Sequence, residues 1–274
     1  MVEYFKDKLA CSYFNEDLSI INAARPFKIV GNNKKAVILI HGHLGYPGEL
    51  YRPAVDLAEN GFDVYVPRLP GMGTSKKYAL RIRYDICLEY LVKFFKKIRK
   101  QYSSIDIVGH SAGSVLAVLL AKKVKCGRLV LAAPAFSLPY FNPYKLYFAS
   151  LFTKAKKIAW KSDPSYNLHY EGENDDEKLG KEYWSYIFPH VVLSLLSVQH
   201  KALKCFKNLK NDTLVLACEN DVLTDIAVLP ELLENKKGNN ELYLVKDATH
   251  FVFYDINPKA EENAVDKCLE FLLK

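Results

Sequence analysis

Short apolar, β-branched runs recur along this chain, most of them followed by a stretch with helical spacing. This alternation restricts the fold more than any other feature. The runs are Lys35–Ile40, Phe62–Val66, Ile105–Val108, Leu129–Ala132, Thr213–Ala217 and Leu242–Val245. Strands that are apolar on both faces suit a parallel sheet covered by helices on either side. Helical patterns lie at about 49–60, 80–101, 112–123, 222–235 and 258–273. The last opens on Asn257-Pro258, and proline favours the first helical turn. Strand alternating with helix predicts an α/β fold with a mostly parallel, doubly wound sheet.

The alternation breaks once. From Ala135 to about Lys210 no convincing strand is expected, and the stretch begins with Phe136, Tyr140, Phe141, Tyr144, Tyr147, Phe148 and Phe152, then Lys154, Lys156 and Lys157. An acidic segment comes next (Glu171, Glu173, Asp175, Asp176, Glu177), then an apolar helical pattern around Val191–Val198. We expect residues 1–134 and 211–274 to form one core and 135–210 to be a helical insertion between two of its strands.

Half of the 274 residues are hydrophobic and 13% are aromatic, which excludes a disordered chain. The net charge of +7 is spread over Lys93, Lys96, Lys97, Lys122, Lys123, Lys201, Lys204 and Lys207 among others, spacings that predict solvated helix faces in place of a nucleic-acid patch. Six cysteines are widely spaced without a CxxC pair, so free thiols in a reducing compartment are expected. No signal-like segment opens the chain and no apolar run reaches the roughly 18 residues needed to span a bilayer. The expectation is a cytoplasmic protein.

The run at 105–108 leads into Gly109-His110-Ser111-Ala112-Gly113 and then an apolar helical pattern. G-x-S-x-G between strand and helix is the setting of a nucleophile elbow: so tight a turn leaves no room for side chains at 109 or 113 and lifts the serine hydroxyl to a helix N-terminus. A serine hydroxyl needs a base. His250, in the loop Asp247-Ala248-Thr249-His250-Phe251 after the last strand, is the candidate; His169, His190 and His200 read as structural or surface residues, and His110 is expected to point away. The base needs a carboxylate to hold its tautomer. Asp221, just past the strand Thr213–Ala217, is favoured, with Glu219 the weaker alternative and Asp225 expected to cap the next helix. The backbone amides of Ala112 and of His43, in His41-Gly42-His43-Leu44-Gly45, are the candidate oxyanion donors. A metal on His41 and His43 is disfavoured because no third ligand lies nearby.

Together these segments make the chain similar to α/β-hydrolases of the serine-hydrolase superfamily, above all the bacterial carboxylesterase, monoacylglycerol lipase and lysophospholipase group. The matching segments are Ile40-His41-Gly42-His43-Leu44-Gly45, Val66-Pro67-Arg68-Leu69-Pro70-Gly71-Met72-Gly73-Thr74-Ser75, Gly109–Gly113, Asn220-Asp221 and Thr249-His250-Phe251. The resemblance implies the α/β-hydrolase fold, Ser111 as nucleophile with Asp221 and His250, the oxyanion roles of His43 and Ala112, hydrolysis of acyl esters through an acyl-enzyme, and no metal or organic cofactor. Members of that group often carry Phe, Ala or Leu where this chain has His43, but only the amide of that residue is required.

The resemblance also implies that the insertion is a cap over the serine. Its aromatic run reads equally as an apolar lid or as ordinary core, and its lysines raise a third reading, contact with an anionic membrane surface. Two rival functions stand beside ester hydrolysis. An iminopeptidase-like peptidase or amidase of the same fold would use the acidic cap residues to hold a substrate's amine. A non-catalytic binder would normally lack one of the three residues present here.

Overall fold

The apolar runs assemble side by side as the centre of one twisted sheet. The computed structural model describes residues 1–16, 21–32, 35–160, 169–170 and 173–274, and of residues 169–176 no side chain. The chain opens with β1 (Val2–Tyr4), α1 (Lys8–Ser12) and β2 (Phe27–Ile29). It then alternates through β3 (Lys35–Ile40), α2 (Tyr51–Glu59), β4 (Asp63–Val66), α3 (Lys76–Ala79), α4 (Tyr84–Ile98), β5 (Ser104–His110), α5 (Ala112–Lys123) and β6 (Leu129–Ala132). Next come α6 (Pro143–Phe152), the two-residue strands β7 (Lys156–Lys157), β8 (His169–Tyr170) and β9 (Glu173–Asn174), α7 (Asp175–Leu179), a π-turn at Gly180–Trp184, β10 (Tyr186–Ile187) and α8 (Pro189–Phe206). The chain closes with β11 (Thr213–Cys218), α9 (Leu229–Glu234), β12 (Asn240–Val245) and α10 (Pro258–Leu273).

The main sheet runs β1-β2-β4-β3-β5-β6-β11-β12. From β4 to β12 every neighbouring pair is parallel, and β1 and β2 add an antiparallel edge. Helices cover both faces, so each central strand is buried on both sides. Leu91, Phe95, Val115, Leu116 and Leu195 belong to the core on one face, under α4, α5 and α8. Leu57, Val265 and Phe271 belong to the core on the other, under α2 and α10. α5 is buried from Ala112 to Ala121, which accounts for its having almost no polar side. Among the described residues no helix is long and apolar enough to cross a membrane.

Two helices are shorter than their periodicity suggests. Leu80–Arg83 forms a turn before α4, with Arg83 in extended backbone. Residues 221–228 do not join α9, because Asp221 Oδ1 accepts the amides of Leu223 and Thr224 and Asp225 Oδ1 accepts that of Ala227. Such local side-chain bonds compete with helical ones. All six cysteines are unpaired, and Cys11, Cys87, Cys218 and Cys268 are buried.

The stretch between β6 and β11 divides. α8 packs along α5 and α4 and buries Val191, Val192, Leu195, Val198, Ala202 and Phe206. α6, by contrast, rests on α8 without burying any residue.

Candidate active site

β5 delivers the chain to Ser111 and α5 leads it away, and the turn between them forces Ser111 to φ +54°, ψ −117°. Positive φ costs a residue with a side chain on the order of 1–3 kcal/mol and persists only where its surroundings hold it. Here Ser111 N donates to Ala132 O at 2.9 Å, and Ser114 Oγ donates to Gly109 O at 2.6 Å. Glycine is required on both sides of the turn. A Cβ at Gly109 would lie 2.5 Å from Gly113 O, and one at Gly113 would lie 2.1 Å from Ile40 O.

The loop after β12 brings His250 to this serine across 139 residues. His250 Nε2 is 2.8 Å from Ser111 Oγ, and His250 Nδ1 is 2.8 Å from Asp221 Oδ2. With Nδ1 donating to the carboxylate, Nε2 is left as the acceptor of the serine proton. The loop is fixed from behind: Thr249 N and Oγ1 both donate to buried Asp255, and Asn220 N donates to Ala248 O. Asp221 Oδ2 also accepts the Thr224 hydroxyl at 2.7 Å. Burial works against the Asp221 charge, but the hydrogen bond and charge of His250, with Thr224, outweigh it and hold the carboxyl below its ordinary value. Glu219, the alternative acid, is engaged elsewhere, accepting from Asp247 N at 3.0 Å.

The loop after β3 packs against the elbow closely enough that a Cβ on Gly42 would sit 3.2 Å from Ser111 Cβ. Leu44 in this loop is at φ +55°, and its carbonyl accepts from Trp184 Nε1 at 2.9 Å. Tyr183 Oη accepts from Gly73 N at 3.0 Å, so the π-turn clamps two loops at the C-terminal end of the parallel strands. His43 Nδ1 lies 2.6 Å from Tyr84 Oη and its ring stacks on that tyrosine; burial draws its pKa down to about 4. His41 is not presented as a metal ligand. Its Nε2 accepts from Leu69 N at 3.0 Å and its Nδ1 donates to Gly42 O at 3.2 Å.

His110 does point away from the serine, yet it serves the site. Its Nε2 donates to the backbone oxygen of His250 at 2.8 Å, and its ring packs against His250, Phe253 and Tyr254. This positioning contact, like those of Tyr84 and Trp184, escapes sequence reading because its partner lies far along the chain. His190 is structural, bonding Leu80 O through Nε2 at 2.8 Å. Glu171 and the side chains of His169, Glu173, Asp175 and Asp176 lie outside the described residues.

Burial of the imidazoles has a measurable consequence. His41 and His110 are held neutral down to about pH 3, against an ordinary value of 6.5. Unfolding frees both to take up protons, so the stability they contribute is complete above about pH 6.5 and is lost as the pH falls toward 3. Each group adds a slope of at most about 1.4 kcal/mol per pH unit, about 2–3 kcal/mol per pH unit together and so about 5 kcal/mol between pH 6 and 4. Glu16 and Asp106, whose carboxyls burial raises, oppose part of this loss. Urea unfolding at pH 7 and pH 5 measures it; equal midpoints would refute the assignment.

The sequence profile of the family described as serine aminopeptidase, S33 matches residues 31–257, which is most of the chain. The chain belongs to the S33 family. Membership spans β3 through the His250 loop, the region holding the elbow and both loops described above. A thermostable monoacylglycerol lipase of Bacillus sp. (strain H-257) is 27% identical over 108 residues, a match covering 39% of this chain and only 43% of that enzyme. Among solved structures, one from work on LipS and LipT, two metagenome-derived lipolytic enzymes, superposes with a TM-score of 0.75 at 20% identity, covering 92% of this chain and 98% of that one. The monoacylglycerol lipase of Paleococcus ferrophilus gives 0.65 at 19%, covering 90% and 97%. A soluble variant of the Saccharomyces cerevisiae monoglyceride lipase gives 0.65 at 17%, covering 93% and 94%. At these identities the superpositions establish the α/β-hydrolase fold of this S33 family member.

Proposed function

We propose that the protein is a carboxylic ester hydrolase working through an acyl-enzyme on Ser111, with His250 as base and Asp221 as its orienting carboxylate. The observation that carries this reading is the unbroken chain of two 2.8 Å contacts, from Ser111 Oγ through His250 to Asp221. Ser111 attacks the ester carbonyl while His250 Nε2 takes its proton, and Asp221 stabilises the imidazolium. The amides of His43 and Ala112, the latter at the N-terminus of α5, receive the developing oxyanion. His250 then protonates the leaving alcohol. A water molecule, deprotonated by the same imidazole, releases the acid and regenerates the serine. This chemistry calls for no metal or organic cofactor.

On this reading residues 1–134 and 211–274 are the hydrolase core and 135–210 its cap, and the substrates are small acyl esters of the monoacylglycerol or lysophospholipid kind. Relatives named as monoacylglycerol lipases support the lipid ester class. The family's description favours a second reading, an aminopeptidase. Amide cleavage on the same serine would need a carboxylate to hold the substrate's free amine. The test is a fluorophosphonate probe with peptide mapping, then parallel turnover of p-nitrophenyl esters of rising chain length and of prolyl naphthylamide. Labelling on Ser111 with ester turnover dominant is expected. Faster naphthylamide release would favour the aminopeptidase, and an unlabelled Ser111 would overturn both readings.

A further inference from the structure

Helix α6 is apolar nearly all round, and the side it leaves in solvent is the aromatic one. Tyr144, Tyr147, Phe148 and Leu151 fall at i, i+3, i+4 and i+7, the spacing of a helix face built to be covered. They are 77%, 56%, 60% and 60% exposed. Leu146, Ala149 and Ser150, on the opposite side, are the partly buried ones. The stripe extends at both ends into Tyr140 and Phe152, which are also exposed. Contiguous exposed apolar surface of this kind marks a site that something else covers.

The charge around it says what covers it. From Ser137 to Trp160 there are four lysines, Lys145, Lys154, Lys156 and Lys157, and no carboxylate. All four are exposed. A second copy of so basic a face would be repelled, whereas an apolar stripe flanked by lysines matches the anionic boundary of a lipid bilayer. The patch also adjoins the site. Asp225 N donates to Ser137 O at 3.3 Å, which ties the loop carrying Asp221 to the segment entering α6. Val222 and Leu223, directly after Asp221, are exposed as well.

We infer that α6 is a membrane-docking helix that seats the protein on anionic lipid, with the Tyr144–Leu151 stripe in the interfacial layer and the four lysines at the headgroups. The docking supplies a partner surface for the proposed ester hydrolase but does not depend on its chemistry.

The experiment is vesicle flotation of the full chain carrying Ser111→Ala, so that no lipid is consumed. Vesicles of phosphatidylcholine alone are compared with vesicles containing phosphatidylglycerol, at low and high salt. The protein is expected to float with the anionic vesicles and to be released as salt rises. The variant Lys154→Gln/Lys156→Gln/Lys157→Gln should bind anionic vesicles at least tenfold more weakly, since each charge near such a surface contributes roughly fivefold. The variant Tyr147→Ser/Phe148→Ser/Leu151→Ser should lose binding to the anionic vesicles at low salt. Because these side chains are exposed, its melting temperature should stay that of the parent, and without Ser111→Ala it should still turn over a soluble short-chain ester. No flotation at low salt, or flotation unchanged by the serine variant of the stripe, overturns the inference. So does light scattering in which that variant merely converts a dimer to a monomer. Failed flotation leaves the hydrolase proposal intact, and failed ester turnover leaves the docking intact.

Discussion

Ser111→Ala is expected to lower kcat by roughly a millionfold without moving the melting temperature. The size reflects the division of labour in the site. On the proposed mechanism the nucleophile and its base act as one unit, so removing the hydroxyl should disable His250 and Asp221 at the same time. What remains on that mechanism is substrate binding and the amides of His43 and Ala112, which would still favour a charged intermediate over the reaction in water by roughly a thousandfold. The unchanged stability comes from the backbone. Ser111 sits at φ +54° whichever side chain it bears, and alanine keeps the same Cβ and so the same strain. Steady-state turnover with thermal unfolding checks both halves. A variant that keeps a tenth of its activity would remove Ser111 from the mechanism, whereas a fall in melting temperature would mean that the hydroxyl also holds the elbow.

Glu16→Gln is expected to destabilise the protein by about 3–5 kcal/mol, and Arg68→Met by a similar amount. The pair is almost completely buried, with 2.7 Å between Arg68 Nη1 and Glu16 Oε2. Arg68 also donates to Met72 O, and Glu16 Oε1 accepts from Gly71 N, so the two side chains hold the loop after β4. Removing either partner strands the other charge in a low-dielectric interior. Burial already holds the Glu16 carboxyl above its ordinary value despite the guanidinium beside it, and Arg68 Nε has no hydrogen-bond partner among the described residues. The pair is therefore a costly arrangement that the rest of the fold sustains. For a protein whose total stability is of order 5–15 kcal/mol, losing one partner should lower the melting temperature by roughly 10 °C. The double variant Glu16→Leu/Arg68→Met should recover most of that loss, because the buried charge goes with its counter-charge. Thermal unfolding of the three variants decides it. A double variant as unstable as the worse single one would show that the loop needs these polar contacts in their own right. Leu69 N donates to His41 Nε2, so loosening this loop should also lower turnover.

Some of this was readable in the residues because it is local. Gly109 and Gly113 mark the elbow, since in that turn a Cβ on either would fall within 3 Å of backbone atoms. Asp221 and His250 lie just past strands, at the end of the sheet where open α/β folds place their sites. The antiparallel edge was not readable. β1 and β2 have three residues each, too few to show a period, and their pairing is decided by contact with β4. Nor could His110 be recognised as a support for His250, since its partner is a carbonyl 140 residues away.

The sequence by itself determined the α/β alternation and the elbow, because each depends on neighbours within one strand, turn or helix. Tertiary structure alone decided which distant groups meet, as Arg68 meets Glu16. It also decided where α6 faces. The residues show a run of aromatic and apolar side chains, but only the packing of Leu146 and Ala149 toward α8 leaves Tyr144, Tyr147, Phe148 and Leu151 outward.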